Sequence, residues 1–416
     1  MTESLQKREQ GYQWTGSEYH FISEKEKDRG YVRYRNKDFG IFCLDPSPYM
    51  HNPYPDLYVV KGCSFPPEKQ LIDITVRETG EIMDVSPEGY PIKIPLNYVL
   101  DWKIGNPKKM KKTNLVVVDE FLDFLSTPIK PSYFNIEDLE YCLGMYAVSS
   151  PQFVDFEPGG INAVVLRGDG DINQSWWNFR NIMKVIPDFL KNPTSTNFYA
   201  HLESKKKPKL LDNSEISLSY KNIKDVPVQI PLPFKVEFKN FFSYKDYMEQ
   251  YRPMATAYMM DALLYQPFIP PKYEKRIEES MYYVVDFILD REETPCFLDL
   301  GSVVPKMATA FARLKYKKVA TIKDLDEGKN FWANSLSQSK ADSKENIDKI
   351  YTIKEKEEIL FSEINELNLT GIKVTYELLK EKTKLLKPNF KKAFNKLRAC
   401  GYIYTKPDKT IGIIEH

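Results

Sequence analysis

Short runs rich in apolar and β-branched residues dominate the N-terminal part of the chain, and this pattern predicts β-strands. Turns rich in proline, glycine and asparagine separate the runs, as in a small barrel. The candidate strands lie at 41–44, 57–60, 71–76 and 80–85. We therefore expect a β domain over 29–110, preceded by a polar, charged and flexible arm over 1–28.

Helical periodicity replaces the strand pattern after a basic stretch at 108–112. The pattern of residues 161–200 predicts a strand, a turn, a helix and a second strand, in that order. Helices are predicted at 135–148, 253–264, 271–289, 306–316 and 325–336, with Asn135 as an N-cap. These elements divide into an α/β core over 115–245 and a helical region over 246–336. A Ser/Gln/Lys/Ala-rich linker follows over 337–346.

The C-terminal segment 347–416 has the pattern of a small separate domain. Predicted helices at 355–368, 375–384 and 388–399 are followed by strands at 401–404 and 410–414. Three helices and a two-stranded hairpin form a winged helix, a relative of the helix-turn-helix. The predicted fold class is multidomain α/β: a β-barrel, an α/β core with a helical lid, and a C-terminal winged helix.

Basic residues are concentrated in this last domain. Residues 371–416 contain eleven Lys or Arg and four Asp or Glu. The candidate DNA-binding residues are Lys391, Lys392, Lys396 and Arg398 in the third helix and Lys406 and Lys409 in the hairpin turn. Such lysines suit phosphate contacts, which carry little sequence specificity. The alternative is a winged helix that binds protein and exposes its lysines to solvent.

Composition excludes several classes of site. The net charge is +1, so any attraction to nucleic acid must come from a local surface. The five cysteines form no CxxC pair and the four histidines are dispersed, so we expect no metal site and no zinc. Unpaired cysteines suit a reducing compartment, and neither a signal peptide nor a membrane span is predicted. We expect a cytoplasmic protein.

One loop has the layout of a phosphate-binding site. It follows the apolar run 163–166 and precedes an amphipathic stretch, the strand–loop–helix order of a nucleotide-binding loop. Its candidate residues are Gly168, Asp169, Gly170, Asp171, Gln174 and Ser175. Gln174 occupies the position of the lysine that such a loop needs, and Asp171 adds a negative charge where a polyphosphate would lie. We therefore expect weak or absent binding of ATP and magnesium.

The order of these segments resembles the minichromosome maintenance (MCM) replicative helicases of archaea and eukaryotes. The resemblance rests on segments 131–140, 166–175, 232–236, 310–314 and 319–325. It implies an oligonucleotide-binding (OB) barrel over 29–110, an AAA+ ATPase core over 115–245, a helical lid over 246–336 and a winged helix over 347–416. The protein would be a shortened, catalytically degenerate member of archaeal type.

The departures from that family concern its catalytic charges. The resemblance aligns Asp299 with the lid arginine that senses the γ-phosphate, and Pro233 with the arginine finger. The stretch between 175 and 234 is too short to contain all of the family's Walker B and sensor strands with their intervening helices. Asp119 and Glu120 follow an apolar run that is similar to Walker B, but they precede the phosphate loop. A helix with acidic residues in its first turn is the alternative interpretation.

These features predict a protein without ATPase activity that binds DNA or a helicase partner in replication or a related DNA transaction. Self-association is a further possibility for the partner. A second basic candidate surface is the loop with Lys205, Lys206, Lys207 and Lys209. The first alternative is a sequence-specific winged-helix replication initiator or transcriptional regulator. The second is an active AAA+ ATPase or helicase subunit, which the glutamine at 174 disfavours.

Overall fold

The structure is a computed structural model, and the chain divides into two compact units, Met1–Asn114 and Leu115–His416. The described residues are 28–45, 56–85, 91–109, 117–130, 135–149, 160–161, 163–165, 178–179, 181–186, 216–218, 229–232, 238–294, 298–338 and 345–414. The fold is mixed α/β.

The first unit contains five strands that close into a barrel. They are β1 (Arg29–Asn36), β2 (Ile41–Asp45), β3 (Tyr58–Val60), β4 (Leu71–Val85) and β5 (Pro91–Ile104). Their order is β1-β2-β3-β5-β4, with β3 and β5 parallel and the other pairs antiparallel. The buried core includes Val32, Phe42, Tyr58, Ile72 and Val99, so strand alternation places one apolar face inside the barrel.

The runs at 71–76 and 80–85 were expected to be two strands, and the structure joins them into one. β4 pairs with β5 over its whole length, with register shifts at Ile74–Val76 and Val76–Arg77. Gly80 therefore does not make a turn. It lies under the ring of Tyr98, where any β-carbon would overlap that ring. A glycine inside a strand here allows a close approach of a side chain to the backbone.

The second unit begins with two helices and a small parallel sheet. The helices are α1 (Val118–Ser126) and α2 (Ile136–Ala147), and the strands are β6 (Ala163–Val165), β7 (Ile216–Leu218) and β8 (Ile230–Leu232). β6 lies in the middle and is parallel to both neighbours. The predicted cap of α2 is confirmed, because Asn135 Oδ1 accepts a hydrogen bond from the Glu137 amide at 3.2 Å.

Four long helices form the next region of this unit. They are α3 (Phe241–Ala262), α4 (Glu274–Leu289), α5 (Leu300–Leu314) and α6 (Ile322–Gln338). The prediction that Pro253 opens a helix is wrong, since α3 begins at Phe241 and Pro253 lies inside it. Asn240 caps the true start by accepting from the Phe242 amide at 3.1 Å. A buried second half of α3 keeps the helix intact across the proline.

The C-terminal elements follow directly. β9 (Glu293–Thr294) pairs with β10 (Glu345–Asn346), so the predicted linker 337–346 begins inside α6 and ends in a paired strand. Next come α7 (Ile347–Tyr351), α8 (Glu355–Leu369), α9 (Tyr376–Lys382), α10 (Lys387–Ala399), β11 (Ile403–Thr405) and β12 (Ile411–Ile413). An isolated β-bridge connects Thr375 to Thr410, beside the two-stranded β11–β12 hairpin.

These elements share a core with one another and also pack on α4 and α5. Phe390, Phe394 and Leu397 of α10 are buried with residues of α8 and the hairpin. Gly301 of α5 lies so close to the carbonyl oxygens of Arg398 and Ile403 that a β-carbon there would overlap both. The C-terminal elements are therefore held against α5 by direct backbone contact.

None of the helices within the described ranges is long and apolar enough to cross a membrane.

Candidate nucleic-acid interface

Helix α10 separates its apolar and basic residues onto two faces. Leu386 is its N-cap, and Pro388 stands in the first turn, where a missing amide hydrogen costs nothing. Phe390, Ala393, Phe394 and Leu397 are buried at helical spacing. The opposite face exposes Lys387, Lys391, Lys392 and Asn395 to solvent. We call this set the lysine stripe.

Lys396 does not share the exposure of Lys391 and Lys392, although all three are DNA-binding candidates from the sequence. Its side chain is half-buried and interacts with the Cys400 thiol. Burial raises the pKa of Cys400 to about 11, and the nearby ammonium of Lys396 partly opposes that shift. A cationic partner stabilises a thiolate by Coulomb attraction, so the residue is engaged at the C-terminal end of the helix.

Arg398 is also removed from the surface, which corrects its assignment as a DNA contact. Its residue is 7% exposed, and Nη2 lies 3.6 Å from Oδ2 of the fully buried Asp299. The same carboxylate oxygen accepts a hydrogen bond from Gln229 Nε2 at 3.1 Å, and Gln229 also donates to Ser302 Oγ at 3.0 Å. This group is an internal polar cluster between α10, α5 and the residue before β8.

Asp299, which the resemblance aligns with the lid arginine, has internal contacts in the described part of the chain. Its hydrogen-bond donor Gln229 immediately precedes β8. The role of Asp299 in this structure is to head α5 and to face Arg398.

The two hairpin lysines also differ in their exposure and in their ion pairing. Lys406 Nζ is 2.6 Å from Glu274 Oε1 of α4, and its side chain is 28% exposed. Lys409 is exposed at the tip of the turn, where its φ of 68° places it in the left-handed region. Asp408 holds the turn by accepting from the Thr410 amide at 3.0 Å. The hydrogen bonds from Thr410 lower the pKa of Asp408, so the tip also carries a stable negative charge.

A cluster of glutamates lies on α8, the helix that packs against α10. A shallow pocket there is lined by Glu355, Glu358, Ile359, Ser362, Glu363, Glu366 and Lys384. Glu363 also fixes the turn before α10, because it accepts from Thr383 Oγ1 at 2.6 Å and from the Lys384 amide at 3.0 Å. A polyanion would be repelled by these glutamates and attracted to the lysine stripe.

The barrel has a second surface suited to nucleic acid. Phe39, in the β1–β2 turn, is 71% exposed, and Phe65 is 51% exposed. Phe65 lies 6.4 Å from the ring of Tyr34, and Lys37 Nζ is 6.0 Å from that ring. Exposed aromatic rings beside lysines are the components of a base-stacking platform. We call Tyr34, Lys37, Phe39 and Phe65 the barrel patch.

Phe39 could have been identified from the sequence as an exposed aromatic residue, since it stands in an otherwise polar turn. Glu274 could not have been identified in this way. Its partner Lys406 is far away along the chain, and a glutamate at a helix start is ordinary.

Asp119 and Glu120 lie in the first turn of α1, as the alternative interpretation proposed. Glu120 Oε2 accepts a hydrogen bond from the Val117 amide at 3.2 Å, which is a capping interaction. The similarity to Walker B therefore reflects a helix start.

Other candidates lie outside the described residues. They are Gly168, Asp169, Gly170, Asp171, Gln174, Ser175, Pro233, Lys205, Lys206, Lys207 and Lys209. Within the part of the chain that the structure describes, no group of three or more His, Cys, Asp or Glu side chains could hold a metal ion.

No protein-family model matches the chain, and a search of curated proteins gave no match.

Proposed function

We propose that this protein is a DNA-binding scaffold of MCM-like architecture that acts in DNA replication or a related DNA transaction without hydrolysing ATP. The observation that carries the proposal is the lysine stripe: an exposed row of cations on a helix whose other face is buried. Lysines of this kind neutralise phosphates and release counterions on binding.

The architecture supports the proposal at both ends of the chain. A five-stranded barrel in the order β1-β2-β3-β5-β4 suits an OB fold, whose loops and strand face bind oligonucleotides. The C-terminal three helices with a hairpin suit a winged helix, in which α10 would be the recognition helix in the major groove. The lack of ATPase activity rests on Gln174 and Asp171, which remove the cation that holds the β- and γ-phosphates and add an anion.

The position of the degenerate loop favours an inherited AAA+ core. The loop follows β6, which is the central strand of its small parallel sheet. In open α/β sheets the ligand site lies at the carboxyl end of such a strand, where connections lead to both sides. A scaffold that has kept this arrangement of strands and lost the catalytic charges of the loop would keep the fold but would not hydrolyse ATP.

Two titrations test the proposal on the purified full chain. In the first, fluorescence anisotropy with a labelled duplex should give binding that weakens steeply with salt. In the second, calorimetry with ATP and magnesium should give no heat of binding. Magnesium-dependent binding of ATP with micromolar affinity, followed by turnover, would contradict the scaffold and favour the ATPase alternative.

The barrel patch gives the proposal a separate test with single-stranded DNA. Replacing both Phe39 and Phe65 by alanine should weaken single-strand binding by about 1–3 kcal/mol for each stacked base that is lost. Duplex binding through α10 should stay unchanged. The matched control is Val76→Ala, which removes another exposed apolar side chain from the barrel. An equal loss in the control would show that the two rings do not stack on bases.

One observation favours the regulator as a second candidate function. Asn395 is exposed on the lysine stripe, one turn after Lys391. An asparagine on a recognition helix can bind adenine through two hydrogen bonds in the major groove, which reads sequence as well as charge. Footprinting on genomic fragments separates the two: a sharply protected site favours the regulator, and uniform protection favours the scaffold.

A further inference from the structure

The hairpin β11–β12 has one side packed against the rest of its unit. Tyr404 is buried, and Glu274, Glu278 and Tyr282 of α4 lie close enough to its hydroxyl to act on it electrostatically. Gly401, at the turn that leads into β11, has a φ of 81°, and a β-carbon there would lie 2.8 Å from Val285 Cγ2. The hairpin is thus seated on α4 and on the start of α5.

The packing of the hairpin on α4 changes the charge that the hairpin presents to solvent. Lys406 lies at its edge and is paired with Glu274, whereas Lys409 at the tip is exposed. Because Lys409 is exposed, a phosphate would reach its side chain directly. To contact Lys406, a phosphate would have to displace the Glu274 carboxylate, which also repels it.

We propose that Glu274 is a latch on the nucleic-acid interface: it competes with DNA phosphate for Lys406 and so limits the duplex contacts of the seated protein to the lysine stripe and Lys409. This inference rests on the proposed function and adds a regulation of the same site. The partner of Lys406 in the released state is the phosphate backbone of duplex DNA, because an ammonium group pairs with phosphate by charge. Asp408 and Thr410 of the turn are hydrogen-bonded to each other.

The size of the effect follows from the exposure of the pair. Lys406 and Glu274 are both partly exposed, and an ion pair of that kind contributes at most about 1 kcal/mol. Releasing Lys406 should therefore tighten duplex binding by up to about fivefold at low salt. One additional phosphate contact should also steepen the dependence of log K on log salt by about 0.9.

The test compares the unchanged full-chain protein with five variants, one of which is Lys409→Ala, in anisotropy titrations with one duplex over a range of potassium chloride. Glu274→Gln should tighten binding and steepen the salt dependence. Glu278→Gln is the matched control, since it removes the same charge one helical turn along α4 from a residue that forms no ion pair with Lys406. Lys406→Ala should leave the affinity of the otherwise unchanged protein as it was, and it should cancel the gain when combined with Glu274→Gln.

Each outcome separates the latch from the function on which it rests. Equal gains from Glu274→Gln and Glu278→Gln would overturn the latch, because general charge would then explain both. A loss of affinity from Lys406→Ala alone that matches the loss from Lys409→Ala would overturn it too, since Lys406 would already be bound to phosphate. Binding that needs the lysine stripe and ignores Glu274 would overturn the latch and leave the proposed function standing. No duplex binding by any variant would overturn both.

Discussion

The two ends of α10 carry the same kind of charge and use it differently. Lys387, Lys391 and Lys392 project into solvent from the first part of the helix, whereas Arg398 at the other end is buried against Asp299. In the sequence all of them look like one basic helix. The difference shows that a count of cations does not identify a phosphate surface, because a neighbouring element decides which cations remain exposed.

The largest effect should come from removing Arg398. Asp299 is fully buried, and within the described part of the chain its Oδ1 has no hydrogen-bond partner; Arg398 is the cation that pairs with its carboxylate. Arg398→Met should lower the free energy of unfolding by about 3–5 kcal/mol, because it leaves an unpaired charge in the interior. Urea unfolding followed by circular dichroism measures this change.

A second substitution tells a charge effect from a packing effect. Adding Asp299→Asn to Arg398→Met removes the stranded carboxylate and should recover a large part of the lost stability, as expected for coupled residues. If the double variant is no more stable than Arg398→Met alone, the ion pair is not what holds this end of α10.

Gly301→Ala should have the next largest effect. The new methyl group would overlap the backbone carbonyls of Arg398 and Ile403, and backbone atoms cannot rotate away as side chains do. We expect a loss of about 1–3 kcal/mol in unfolding free energy, typical of an overpacked contact. Gly328→Ala in α6 is the control, since the nearest atoms there lie at 3.2 Å. Equal losses in the two variants would mean that α5 and α10 separate easily.

The smallest effect on stability should come from the lysine stripe. Replacing both Lys391 and Lys392 by alanine should change the unfolding free energy by no more than about 0.5 kcal/mol, because both side chains are exposed and alanine favours helix. Thermal unfolding of the variant checks this. A loss as large as that from Arg398→Met would place these lysines in a structural role and remove the contrast between the two ends.

Local signals predicted much of this architecture. The helices and strands of the C-terminal elements follow from apolar spacing, Pro388 and the glycine breaks, and the Asn135 cap follows from its position before an amphipathic run. β4 and α3 were predicted less well. Packing of Tyr98 over Gly80 and burial of the second half of α3 override the turn and helix-start preferences of glycine and proline.

The site was harder to predict because its decisive contacts are not local. Asp299 meets Arg398, and Glu274 meets Lys406, across long stretches of sequence. The sequence shows which residues of α10 are basic. It does not show which other elements of the fold cover Arg398. The lysine stripe, by contrast, was accessible to prediction, since helical periodicity places it opposite the buried phenylalanines.

The salt dependence of duplex binding tests the central claim most directly. Anisotropy titrations at several potassium chloride concentrations would compare the unchanged protein, Lys391→Ala/Lys392→Ala, and the control Lys354→Ala at the start of the acidic helix α8. The slope of log K against log salt should fall by about 0.9 for each stripe lysine removed and stay constant in the control. An unchanged slope in the stripe variant, with binding intact, would contradict the assignment of this surface to DNA.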